Sequence, residues 1–168
     1  MNAPELLKPA TIPQSLSFHE IARILPYGPP WLLIDKVLSW GNGEIVVQKA
    51  ISGCETNMSA HLKDGPSIMP GVLQLEFINQ AAMLMMLLLN SSGERSDASE
   101  GAGVLAQCKC KYISPAYIGE VITGTVKLVE VVGHMTMYQG EITCGDRRVA
   151  SINAVGALVS DPSKLAGG

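Results

Sequence analysis

Between Gly71 and Leu89 the chain carries one ionisable side chain, Glu76, in an otherwise almost wholly apolar stretch. Pro70 and Gly71 open this stretch and Asn90 closes it, which predicts about five helical turns. A helix that is apolar on nearly every side has no face to turn to water, so other elements must surround it. The run from Val72 to Leu89 is also nearly long enough to span a membrane. Gln74, Glu76, Asn79 and Gln80 would then all sit in hydrocarbon, so a buried core helix is the less costly assignment.

The flanking sequence supplies the surround. Ser17-Phe18-His19-Glu20 reads as a helix start, with Ser17 as cap, Glu20 three residues on, and an apolar face of Ile21, Ile24 and Leu25. Pro26, Pro29 and Pro30 end that short helix. A strand is expected from Trp31 to Ser39, a turn at Gly41-Asn42-Gly43, and a returning strand from Glu44 to Ile51. A loop holding His61 leads to the long helix, and the Ser-, Gly- and charge-rich stretch from Ser91 to Gly103 reads as a second loop. Four further strands follow, near Val104–Tyr112, Glu120–Val132, His134–Cys144 and Val149–Val159. Consecutive strands with short turns make an antiparallel sheet, and one apolar helix needs that sheet wrapped around it. The expected class is α+β, a curved antiparallel sheet around one long central helix. Residues 1–16, with Pro4, Pro9 and Pro13 and no signal pattern, read as an irregular arm. Residues 17–160 read as a single domain and 161–168 as a tail.

Composition narrows the function classes. In 168 residues, 47% are hydrophobic and 16% charged, with positive mean hydropathy. Such a chain is expected to hide apolar surface in a subunit interface. A net charge of −3 argues against nucleic-acid binding, which calls for a basic stripe. Cys54, Cys108, Cys110 and Cys144 lack the paired spacing of a zinc site. Cys108 and Cys110 lie two apart on a strand and share a face, which predicts buried thiols in a reduced, cytosolic protein.

Chemistry concentrates between His61 and Glu76. Burying a lone carboxylate costs several kcal/mol, roughly, unless it is paired or protonated. Position 76 lies beyond the first helical turn, where the helix dipole would favour an anion. A role in chemistry explains Glu76 better than capping does, and Asn79 and Gln80 stand one turn on to hydrogen-bond it. His61 stands ten residues before Gly71. Pro70 has no N–H, so Gly71 offers the first free helical donor, with no side chain in the way. A carbonyl oxygen gaining negative charge would be stabilised there. His19 and His134 fit surface or capping roles. An imidazole and a carboxyl group meeting in a dry tunnel would form an acid–base pair.

Leu25-Pro26, Trp31-Leu32-Leu33-Ile34-Asp35-Lys36-Val37, His61, Pro66-Ser67-Ile68-Met69-Pro70-Gly71-Val72-Leu73, Glu76 and Gln80-Ala81-Ala82 together carry a family likeness. The chain resembles the 3-hydroxyacyl acyl-carrier-protein dehydratases of type II fatty-acid synthesis from roughly Leu25 to Leu158. The resemblance implies the hotdog fold, a homodimer that can assemble as a trimer of dimers, and an active site shared across the dimer interface. It implies that His61 of one chain removes the C2 proton. Glu76 of the other chain, protonated in its apolar pocket, gives a proton to the departing C3 hydroxyl. The Gly71 N–H would hold the thioester carbonyl, and Val72, Met69 and Phe77 would contact substrate. Met83 and Met85 are further candidates for a flexible tunnel wall, although core packing explains the apolar candidates equally well. The reaction needs no metal and no diffusible cofactor, and its partner would be an acyl carrier protein.

This sequence departs from the family pattern in three places. One residue is added between His61 and Gly71, Tyr27-Gly28 replaces a usual His-Arg, and Ile113-Ser114 replaces a basic pair. Lys109 and Lys111 remain as nearby cations for carrier-protein docking. These departures mark a divergent member, suited to a polyketide, polyene or other specialised acyl pathway. Two other readings stand beside dehydration. One is a hotdog thioesterase in which Glu76 activates water. The other is a degenerate subunit that pairs with an active homologue.

Overall fold

A computed structural model describes residues 14–59, 61–62, 64–91 and 102–159 of the chain. The expected tail and most of the expected arm and second loop lie outside the described residues. The elements run β1 (Leu16–Ser17), α1 (Phe18–Ile24), β2 (Lys36–Gly41), β3 (Glu44–Ala50), α2 (Thr56–Ser59), α3 (Gly71–Ser91), β4 (Ala102–Tyr112), β5 (Val121–Val132), β6 (Met135–Cys144) and β7 (Arg147–Val159). One seven-stranded sheet holds them in the order β1-β2-β3-β5-β6-β7-β4, with every pairing antiparallel. The sheet lies against α3, as the hotdog architecture requires.

The sequence reasons for the elements hold locally. Glu20 accepts hydrogen bonds from the Ser17 N–H (2.7 Å) and the Ser17 hydroxyl (2.6 Å), starting α1. The β2–β3 hairpin turns through Asn42 (φ 51°) and Gly43 (φ 72°), the left-handed pair a two-residue hairpin needs. α3 spans 21 residues, about 31 Å. It is long and apolar enough to cross a membrane, but 67% of its apolar window is buried inside the fold. It is a core helix.

Two glycines set how closely α3 sits on the sheet. A Cβ at Gly124 would lie 2.7 Å from the Phe77 ring, and one at Gly140 would strike Ile78. β5 and β6 therefore present bare backbone where Phe77 and Ile78 press down, and both side chains are fully buried.

Four expectations change. Trp31–Asp35 is not strand. Trp31–Leu33 bonds instead to the α3 side chain Gln80 and to the turn at Gly28, Asp35 N–H makes a first bond to Gln48 O of β3 (2.9 Å), and the strand begins at Lys36. The loop holding His61 contains the short helix α2, which its mixed polar sequence did not signal. The last four strands do not pair in simple succession. β4 crosses to the far edge beside β7, and residues 113–120 make the crossover. Finally, Cys108 is exposed and Cys110 only half-buried. β4 is an edge strand that overhangs the helix, so thiols on its inner face are not covered within one protomer.

Gly140→Ala is expected to lower stability by about 1–3 kcal/mol through overpacking against Ile78. Chemical denaturation of the purified variant measures it, and an unchanged midpoint would mean that α3 is not seated on that backbone.

Candidate active site

Glu76 sits in the second turn of α3, half-buried. Its carboxylate accepts a hydrogen bond from Gln80 Nε2 at 2.9 Å. Gln80 is 1% exposed and fully engaged. The same Nε2 donates to the Trp31 carbonyl (2.8 Å), and its Oε1 accepts from the Leu33 N–H (2.9 Å). One buried amide thus ties the irregular 31–33 segment to α3 and fixes the acid one turn away.

Glu76 lines a cavity of about 100 Å³ between α3 and the β6-β7-β4 side of the sheet. Met83 and Met86 continue the α3 wall, Tyr27 adds to the lining, and Thr136 and Tyr138 stand on the sheet. The Tyr27 hydroxyl donates to the Met83 sulfur (3.6 Å), and that of Tyr138 donates to Asn79 Oδ1 (2.8 Å). Burial, and then the charge of Glu76, pushes the Tyr27 phenol above its ordinary pKa. Burial also raises Tyr138, with Cys108 and Glu76 adding to it. Both phenols therefore remain hydrogen-bond donors across the neutral range.

His61 lies elsewhere. Its ring is exposed, with Nδ1 3.3 Å from the Ile68 carbonyl. In the tautomer protonated at Nδ1 the ring donates to that carbonyl and carries its lone pair on Nε2. His61 is not among the residues lining the Glu76 cavity.

The mouth of α3 is held by the crossover. Met69 N–H donates to Ala116 O (2.8 Å) and Ile118 N–H to Ser67 O (2.9 Å), around an Ile68–Tyr117 bridge. The crossover is in turn pinned by Glu120, which accepts from the Tyr117 N–H (2.8 Å) and pairs with Arg147 (2.6 Å). The Tyr117 N–H first, then the Arg147 guanidinium, holds the Glu120 carboxyl below its ordinary pKa. At the helix start, Pro70 O accepts from Leu73 and Gln74. The N–H groups of Gly71 and Val72 have no partner among the described residues, as the first donors of a helix ordinarily do not.

Gly71 is glycine for a further reason. A Cβ there would come within 2.8 Å of the Tyr112 ring, whose hydroxyl donates to Gly71 O (2.8 Å). The space beside Gly71, expected to be open, holds Tyr112. Of the other candidates, Val72 is 71% exposed at the helix mouth. Met69 and Phe77 are buried in the core and do not reach the Glu76 cavity, because position 77 turns a side chain from Glu76 toward Gly124. Met85 is core as well, whereas Met83 lines the cavity. Lys109 and Lys111 are exposed. By strand alternation they lie on the face of β4 opposite Tyr112, turned away from α3. Gln80 bonds Glu76 as its helical spacing predicts, whereas Asn79 is engaged by Tyr138 instead. Tyr138 and Thr136 are lining residues that the sequence did not single out.

The model of the FabA-like domain matches residues 25–153. The chain belongs to the FabA-like family. Within it, this FabA-like chain is 28% identical over 145 residues to the 3-hydroxyacyl acyl-carrier-protein dehydratase FabZ of Macrococcus caseolyticus, covering 86% of this chain and 96% of that protein. It is 34% identical over 111 residues to the FabZ of Chlamydia trachomatis serovar L2, covering 64% and 69% respectively. Among solved structures, the dehydratase heterocomplex ApeI:P from Xenorhabdus doucetiae superimposes with a TM-score of 0.72 at 18% identity, over 87% of this chain and 94% of that one. Uncharacterized protein PH1136 from Pyrococcus horikoshii gives 0.60 at 15% identity, over 89% and 95%. These last two likenesses are of fold.

Glu120 carries the pH prediction. Its folded-state pKa lies below its unfolded value, so its contribution to stability is full above the unfolded range and fades as pH falls through the folded value. The wild type is expected to outlast Glu120→Gln in urea at pH 7, with the gap closing as pH drops below about 4. A gap independent of pH would remove the carboxylate from the argument.

Proposed function

We propose that this chain dehydrates a 3-hydroxyacyl thioester to the trans-2-enoyl thioester, at sites where His61 of one protomer faces Glu76 of another. One observation supports this reading. Glu76 lines a cavity beside the edge strand β4, whereas His61 of the same protomer is exposed and is not among the residues lining it. The free edge of β4 and the exposed Leu105 and Tyr112 on it are suited to receive a second copy. Docking of two edges would extend the sheet and bring the partner's loop toward the cavity.

The chemistry then follows. His61 Nε2 removes a proton from C2 of the substrate. Negative charge passes to the thioester oxygen, where the Gly71 N–H, with Val72 beside it at the helix mouth, stabilises it. The Glu76 carboxyl gives its proton to the C3 hydroxyl, the C3–O bond breaks, and water leaves. The imidazolium and carboxylate that result differ from the starting pair by one transferred proton, so exchange with solvent resets the site. No step calls for a metal or a redox cofactor. The acyl group is proposed to arrive on a carrier protein, the substrate form printed in the names of the FabZ relatives. Lys109 and Lys111 form no ion pair among the described residues and offer positive charge to an acidic partner.

His61→Ala is expected to abolish elimination with the fold intact, and Glu76→Gln to lower it by roughly 10²-fold or more. Mixing the two inactive variants should restore about a quarter of the wild-type rate, since half of randomly paired dimers carry one intact site of two. Absence of rescue would overturn the shared site. Free acid in place of enoyl product would make the chain a thioesterase. Turnover appearing only with an active homologue would make it a partner subunit. Reversing charge at Lys109 and Lys111 to Glu should raise KM about tenfold for carrier-bound substrate and leave the pantetheine thioester unaffected; equal effects on both would exclude docking there.

A further inference from the structure

On the inner face of β3 the alternation runs Ile45, Val47 and then Lys49, which is only 3% exposed. Lys49 is the one charged side chain that is buried among the described residues. Its ammonium lies 3.0 Å from each carboxylate oxygen of Glu55. Methionine or leucine at position 49 would continue the apolar face. Replacing a buried ion pair by apolar side chains is often neutral or even stabilising. Stability is therefore a weak reason for a charge at this position.

What the pair holds lies downstream. Glu55 Oε1 also accepts from the Ser52 N–H (3.2 Å), and Glu55 O accepts from the Met58 N–H (3.0 Å) at the start of α2. Met58 is fully buried, and its carbonyl accepts from the His61 N–H (3.4 Å). α2 has four residues, too few to hold a helical turn without outside anchors. His61 is thus tied at its backbone to the segment that Lys49 grips, and its ring faces the Ile68 carbonyl. Neither Lys49 nor Glu55 lines the cavity at Glu76. We infer that Lys49 and Glu55 are positioning residues for His61: the buried ammonium fixes Glu55, Glu55 fixes α2, and α2 sets where the imidazole stands. The inference rests on the proposed use of His61 as the base and adds what orients it.

Two variants separate positioning from stability. Lys49→Met alone leaves the Glu55 carboxylate without its cation, so both the urea midpoint and kcat are expected to fall. The double variant Lys49→Met/Glu55→Gln carries no orphaned charge, and its midpoint should return close to the wild-type value. Its kcat is nevertheless expected to stay about 10²-fold down, the scale on which a misplacement of about 1 Å acts. KM should stay within about twofold, because neither residue lines the cavity at Glu76. Recovery of kcat together with the midpoint overturns the inference, and so does loss of the fold in both variants. Imidazole 15N shifts of His61, assigned by their loss in His61→Ala, need no turnover at all. The wild type is expected to show the Nδ1–H form that the Ile68 carbonyl selects, and the double variant a mixture of tautomers. Identical shifts in the two proteins overturn the inference whatever the rates. Shifts that move, in a protein that forms no enoyl product, leave it standing and remove the dehydration reading; elimination with unmoved shifts does the reverse.

Discussion

A helix with no polar face must be enclosed, and the contact of α3 with the glycine backbone of β5 and β6 is how this chain encloses it. Phe77 and Ile78 reach the sheet only because Gly124 and Gly140 have no side chains to hold them off. That close seat fixes the rotation of α3. With positions 77 and 78 committed to the sheet, positions 76, 79 and 83 must turn toward the gap beside β4. The acid is therefore aimed by packing two residues away from it, and Gln80 then holds it by hydrogen bonding.

A second chain of contacts brings the helix mouth into place. Arg147 and Glu120 pin the crossover, the crossover bridges to Ile68 and Met69, and those residues deliver Pro70 and Gly71. The same Ile68 carbonyl that belongs to this bridge faces the His61 ring. The orientation of the His61 ring and the N–H groups at the helix mouth thus share one support, built on an ion pair far from either in sequence. Charged groups that look like surface decoration here act on geometry.

The sequence shows the long helix, its lone carboxyl group and most strand positions because each rests on a local pattern. Apolar continuity marks α3, Asn-Gly marks the first hairpin, and alternation marks β5 to β7. What escapes is what depends on distant partners. The stretch from Trp31 to Ile34 has strand composition, but Trp31 O and Leu33 N–H bond to Gln80, forty-seven residues or more away, while Trp31 and Leu32 N–H bond to Gly28. The fate of β4 depends on a crossover that no composition encodes, so Cys108 and Cys110 were expected to be buried. Phe77 is an apolar residue beside Glu76 in sequence, and only the helical turn separates core from cavity. Thr136 carried no signal at all, since a threonine on a strand is ordinary until its surroundings are known.

The crossover also has a consequence for how the molecule is made. Among the described residues β4 is the next element after α3 yet pairs within the protomer with β7, the last of the described strands. Until then both of its edges are unsatisfied, and the cavity beside Glu76 lacks a wall. Loop closure of that span must precede any reward from the pairing. The nascent chain therefore completes the seat of α3 on β3, β5 and β6 before it closes the cavity beside Glu76, and β4 waits with both edges open until β7 arrives.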